Sequence, residues 1–171
     1  SVLVEKTGMS ALVIDYTGHG ESPFDLQDLT PAQNFLEVIT AFDWLKDNHA
    51  DKKISVVGTS YGGFLATQLT KYREFDKLVL RVPGIYQPQD FYSKWKNIET
   101  KYNRDVYRKD AEALAKHPLL ARAANYKGKT LVIVHENDEQ VARETTDAFI
   151  KAFDAETYLA KGFTHSFAAH L

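Results

Sequence analysis

The sequence predicts an α/β protein built on a mostly parallel sheet, and three observations carry that reading. Short β-rich runs alternate with longer stretches of helical periodicity, the pattern of successive βα units. The β-rich runs are near-continuously apolar rather than alternating, as strands covered on both faces are. At 171 residues the chain is long enough for one domain with a substantial buried core.

Taken in order, the first strand is expected at Ala11-Leu12-Val13-Ile14-Asp15-Tyr16. A helix follows from Thr30-Pro31-Ala32-Gln33, which reads as a capping box with proline at the first helical position. Phe35, Ile39, Phe42 and Leu45 then form one apolar stripe at helical spacing. Ile54 to Gly58 is the second strand, and a helix is expected from just after Ser60 through Leu65 and Leu69 toward Tyr72. Lys77 to Val82 and Leu131 to His135 are further strands. A helix over about Arg143 to Phe153 leads to a weaker strand, Glu156 to Ala160. No internal repeat or low-complexity tract interrupts the series.

Residues 84–127 break the rhythm. Pro83-Gly84 closes a strand, and the segment before the next one is rich in aromatics: Tyr86, Phe91, Tyr92, Trp95, Tyr102, Tyr107 and Tyr126. Phe91, Trp95, Ile98 and Tyr102 fall at helical spacing, which predicts an amphipathic helix within a small helical cap. The plainer reading is a helical connection whose aromatics simply pack. The expected organisation is a single domain over 1–171, with a core of 1–83 and 128–171 and a cap-like insertion at 84–127.

Bulk properties narrow the function. The net charge is −2 and the pI near 6.3, with no single-sign cluster, so nothing draws the chain toward nucleic acid or an anionic membrane. No apolar run approaches the roughly 18 residues that span a bilayer. There is no cysteine, which removes disulfides, thiolate metal sites and a cysteine nucleophile, and fits a cytoplasmic setting.

The chemistry centres on Gly58-Thr59-Ser60-Tyr61-Gly62, a Gly-x-Ser-x-Gly run between a strand and a helix. That context makes it a nucleophile elbow, a tight turn that exposes the serine oxygen at the top of a sheet. A hydroxyl is a poor nucleophile at neutral pH and needs a base; six histidines are available, at 19, 49, 117, 135, 165 and 170. Asp15-x-x-Gly18-x-Gly20-x-Ser22 follows the first expected strand. As a phosphate-binding loop it is weak, because no suitable lysine and no helix follow directly, and it lacks the third glycine of a dinucleotide fingerprint.

The elbow, the Asp15 to Ser22 loop, the His135-to-Val141 turn and the Gly-x-x-His-x-Phe run at 162–167 together resemble the α/β-hydrolase superfamily of serine hydrolases. The resemblance implies that Ser60 is the nucleophile and His165 the base, with His170 as the fallback. It implies that Asp138 orients the base, its turn being followed by Val141 as in the family; Glu136 and Glu139 are rivals. The order Ser60, Asp138, His165 is the order of that fold. His19 would be a structural or pocket-rim residue. The backbone N–H of Tyr61 would supply one oxyanion donor, each such donor being worth about 3–4 kcal/mol. Tyr86, Phe91 and Trp95 would shape an apolar acyl pocket.

Within the superfamily, Gly58 to Gly63 and His117-Pro118-Leu119-Leu120 look like the esterase, thioesterase and prolyl-oligopeptidase-like branches. The implied activity is cleavage of a small carboxylic ester or thioester through an acyl-enzyme, a mechanism that implies no metal or organic cofactor. A prolyl-oligopeptidase-like peptidase domain and a non-catalytic binding protein on the same fold are the alternatives. Members of the superfamily carry more strands than the five read here. The resemblance therefore implies roughly 70 to 100 further residues upstream of Ser1, which would hold the second oxyanion donor and the strand that separates the Leu12 run from Ile54 to Gly58. Ser1 to Gly8 would be the tail of a preceding helix.

Overall fold

In a computed structural model the described residues are 2–101 and 104–166; Tyr102 and His170 lie outside them. A helix, α1 (Val2–Thr7), precedes a long irregular stretch, and α2 (Pro31–Asn48) begins where the capping box placed it. Thr30 N–H donates to Gln33 Oε1 at 2.8 Å and Gln33 N–H returns to Thr30 Oγ1 at 3.2 Å, so two donors at the helix start are satisfied reciprocally. Phe35 and Phe42 on its stripe are buried.

Four strands follow: β1 (Ser55–Thr59), β2 (Lys77–Arg81), β3 (Lys129–His135) and β4 (Glu156–Ala160). They lie side by side in the order β1-β2-β3-β4, all parallel. Parallel neighbours need crossovers, and these are α3 (Tyr61–Leu69), the 84–127 segment and α8 (Arg143–Phe153). The register sets Gly58 beside Leu80 and Leu80 beside Val132. Leu78, Leu80 and Val132 have no exposed surface, as their continuous apolar runs anticipate. Because every strand runs the same way, all four C-terminal ends open on one edge, where such sheets place their binding loops.

The first expected strand does not form. Residues 8–16 carry no regular structure, and Val13 is 84% exposed. A strand needs a hydrogen-bonded neighbour, and β1 is an edge of the sheet that this run does not reach. Instead Leu12, Ile14 and Tyr16 line a groove of about 150 Å³ together with Val56 and Val57 of β1 and Phe42 of α2. Tyr16 packs against the core, while Leu12 and Val13 remain exposed.

The predicted helix after Ser60 ends at Leu69, three residues early, and Tyr72 N–H closes a turn on Leu69 O at 3.0 Å. The 84–127 segment also divides more finely than its spacing suggested. Phe91 lies in a 3-10 turn, Pro88–Tyr92, and Ser93 is extended, so the helix restarts as α4 (Trp95–Lys101). Three short helices follow: α5 (Arg104–Lys109), α6 (Ala111–Ala115) and α7 (Pro118–Ala123). Trp95, Ile98, Leu114, Leu119 and Leu120 join Phe64 and Leu80 in one continuous core. The insertion is therefore built into the domain rather than resting on it.

Candidate active site

Ser60 sits between β1 and α3 with φ 50° and ψ −115°. A non-glycine residue at positive φ holds strain of about 1–3 kcal/mol, and the surroundings hold it there. Ser60 N–H donates to Arg81 O at 2.9 Å; its carbonyl accepts from Gly63, Phe64 and Gly84 N–H groups at 3.0, 3.2 and 2.9 Å. The turn is tight because β1 and α3 nearly touch: a Cβ on Gly58 would stand 2.4 Å from Gly62 O. Gly62 is different, since a Cβ there would meet only the Tyr16 hydroxyl, at 3.6 Å. Ser60 heads α3, yet its side chain makes no capping bond, which leaves Oγ for another partner.

That partner is His165. Its Nε2 is 3.0 Å from Ser60 Oγ, and its Nδ1 is 2.8 Å from Asp138 Oδ2 and 3.0 Å from Oδ1. The His165 and Asp138 side chains are 11% and 5% exposed. Burial pushes the Asp138 carboxyl up, but donors from His165, Val141 N–H and Gln140 N–H outweigh it and hold the group below the usual range. An ionised Asp138 requires the proton on Nδ1, so Nε2 is the nitrogen that accepts from Ser60.

The loop carrying His165 is anchored from below. His135 donates from Nδ1 to Thr164 O at 2.6 Å, and Asn137 N–H donates to Phe163 O at 2.9 Å. The two rival carboxylates also serve this loop. Glu136 accepts from Gly162 N–H at 2.7 Å and Glu139 accepts from His165 N–H at 3.1 Å. Both therefore grip the backbone, and Asp138 alone of the three meets the His165 ring.

Tyr61 opens α3, so its N–H is among the first four of a helix, which have no carbonyl partner within it. Its side chain is fixed by Asn34, which the sequence reading missed. Tyr61 O–H donates to Asn34 Oδ1 at 2.9 Å, and Asn34 Nδ2 donates to Thr17 O at 3.1 Å. Asn34 is fully buried on the inner face of α2; a lone amide beside the stripe of Phe35 and Phe42 was the available signal. His19 stacks on the Tyr61 ring at 5.8 Å, beside the elbow.

Tyr86, Phe91 and Trp95 do gather near the elbow, but as packing. Tyr61 meets Trp95 at 5.0 Å and Tyr86 at 6.0 Å, and Phe91 meets Phe64 at 6.2 Å. Tyr86 and Trp95 are 5% and 7% exposed, so neither presents an open acyl pocket. Their edge-to-face contacts absorb the surface that a ligand would use. Among the described residues no group of three or more His, Asp or Glu side chains could hold a metal ion. No helix among them is long and apolar enough to cross a membrane.

The sequence model of the serine aminopeptidase (S33) family matches residues 3–117, more than half of the chain. The chain belongs to that family. The match contains the Ser60 elbow and ends before Asp138 and His165. The chain is thus an α/β hydrolase, and solved structures agree on the fold. A protein of unknown function from Agrobacterium tumefaciens, grouped with the α/β hydrolases, is 19% identical with a TM-score of 0.63 over 98% of this chain and 66% of that one. An α/β serine hydrolase homologue from Coxiella burnetii is 15% identical with a TM-score of 0.59, over 90% and 60%. An acylaminoacyl peptidase from Pyrococcus horikoshii is 17% identical with a TM-score of 0.56, over 84% and 25%. The chain spans about two thirds or less of each of those structures. No curated protein matches it significantly by sequence.

Proposed function

We propose that the chain is a serine hydrolase that cleaves a small carboxylic ester or thioester through an acyl-enzyme. The observation that carries the reading is the ring of His165, 3.0 Å from Ser60 Oγ on one side and 2.8 Å from Asp138 on the other. In this reading His165 takes the Ser60 proton as Oγ attacks the carbonyl, and returns it to the departing alkoxide or thiolate. Asp138 stabilises the imidazolium formed between the two steps. The Tyr61 N–H, at the positive end of α3, meets the developing oxyanion. Water then attacks the acyl-serine by the same route. The cysteine-free composition supports a cytoplasmic setting, and the reaction asks for no metal or organic cofactor.

A peptidase reading is favoured by one specific observation, the match to the serine aminopeptidase family. It uses the same three residues on an amide. Steady-state rates on a 4-nitrophenyl acetate to butyrate series, set beside aminoacyl 4-nitroanilides, separate the two. Ester turnover that disappears in Ser60→Ala supports the esterase reading. Turnover confined to the anilides, or ester turnover that survives the substitution, overturns it.

A further inference from the structure

Arg108 on α5 is 4% exposed, a cation taken into the core from within the insertion. Its Nη1 donates to Gln140 O at 2.9 Å and its Nε to Ile85 O at 3.3 Å; the guanidinium carbon stands 5.3 Å from the centre of the Tyr86 ring. Two carbonyl dipoles and an aromatic face thus help replace the water that burial removes.

The position of those carbonyls matters more than their number. Gln140 C=O and Val141 N–H belong to one peptide group, and Val141 N–H donates to Asp138 Oδ1 at 2.8 Å. The guanidinium, that peptide, the Asp138 carboxylate, His165 and Ser60 therefore stand in a single row of hydrogen bonds. Bonds in such a row polarise one another, so a cation on the carbonyl strengthens the N–H on the far side as a donor to the carboxylate. The second carbonyl lies in the loop that holds the elbow. Gly84, next to Ile85, donates to Ser60 O at 2.9 Å, and a Cβ on Gly84 would stand 3.3 Å from Arg108 Nη2 and 3.5 Å from the Ser60 carbonyl carbon. The Arg108 carbonyl also accepts from Thr145 Oγ1 at 2.8 Å, on the helix that follows the acid turn.

We propose that Arg108 is a positioning residue for the Ser60–Asp138–His165 triad. It acts on Asp138 through the Gln140–Val141 peptide, and its bond to the Ile85 carbonyl fixes the guanidinium in place for that contact. This role rests on the reading of those three residues as catalytic. It gives the aromatic insertion a second task, carrying a fixed cation to the back of the site, which a purely packing segment would not need.

The test is a double-mutant cycle in the full-length protein, read as the second-order rate of labelling by a fluorophosphonate. Arg108→Met slows labelling about tenfold in the parent and less than about twofold in Asp138→Asn, where the row is already cut. Arg108→Lys keeps a charge without the fork and gives an intermediate loss. The downfield proton resonance of His165 Nδ1–H moves further downfield in Arg108→Met, because a carboxylate less firmly held by Val141 N–H accepts more strongly from His165. Should Arg108→Met fail to fold by circular dichroism, Arg108→Lys carries the same cycle. Equal fold-losses in both backgrounds, or no loss in the parent, overturn the role of Arg108 while leaving the triad intact. A parent whose Ser60 takes no label overturns the triad reading, and the role of Arg108 with it.

Discussion

His165 Nε2 reaches Ser60 Oγ at 3.0 Å across 105 residues of chain. Parallel strands make this possible: β1 delivers Ser60, β3 delivers Asp138 and β4 delivers His165 to the same edge of one sheet. Each loop needs to be placed only relative to its own strand, and the register does the rest.

The two elbow glycines differ in kind. Gly58→Ala drives a methyl into the Gly62 backbone at 2.4 Å, which neither rotamer nor water can relieve, and costs about 1–3 kcal/mol of stability. Gly62→Ala meets ordinary contact and stays within about 1 kcal/mol of the parent, helped by alanine's better helix propensity. Urea denaturation of the two variants side by side checks this; equal losses contradict the close approach of β1 and α3.

Asp138→Asn keeps an oxygen for the Gln140 and Val141 N–H groups but turns an amide NH₂ toward His165 Nδ1. That selects the tautomer in which Nε2 carries the proton and accepts nothing from Ser60. Activity falls on the order of 10⁴-fold with little change in fold. Turnover measured beside a thermal melt separates this outcome from unfolding.

His117 gives the fold a pH dependence. Its Nε2 donates to Tyr86 O at 2.8 Å and its Nδ1 accepts from Leu119 N–H at 3.1 Å, so the native ring is neutral and caps α7. Burial pushes its pKa below the ordinary value. The unfolded chain takes up a proton near pH 6.5, so the unfolded state binds more protons below that point and stability falls with pH there. The fall levels off once the native ring also protonates. His117→Asn keeps an acceptor for the cap without a titrating ring. Its unfolding free energy between pH 7.5 and 5.5 changes less than the parent's; identical slopes contradict a neutral buried ring.

Asn34→Leu strands the Tyr61 hydroxyl and the Thr17 carbonyl. Leaving such groups without partners costs about 1–3 kcal/mol each. A melting temperature unchanged from the parent contradicts the tie between α2, the Thr17 loop and the elbow.

Much of this was legible in the sequence because the signals were local. The elbow glycines, the Thr30 capping box and the apolar runs of β1 to β3 each specify their own conformation within a few residues. Ser60, Asp138 and His165 lay in short motifs of that kind. The run Ala11 to Tyr16 misled because apolar β-branched residues state a preference for burial, not for a neighbour, and the edge of β1 was out of its reach. The aromatics of 84–127 misled in a similar way. Helical spacing across Phe91 and Trp95 does not register that Ser93 is extended, and aromatic composition alone does not separate a pocket lining from a core. Asn34 and Arg108 make their contacts far along the chain; a lone amide beside the Phe35 and Phe42 stripe marked Asn34 as buried but not its partners, and nothing near Arg108 in sequence marked it.

The central claim, that Ser60 is a nucleophile activated by His165 and Asp138, is tested most directly by mass-spectrometric mapping of a fluorophosphonate adduct. The account predicts a single adduct on the peptide containing Ser60, lost in Ser60→Ala and formed far more slowly in His165→Ala. An adduct elsewhere, or one formed as fast without His165, would contradict it.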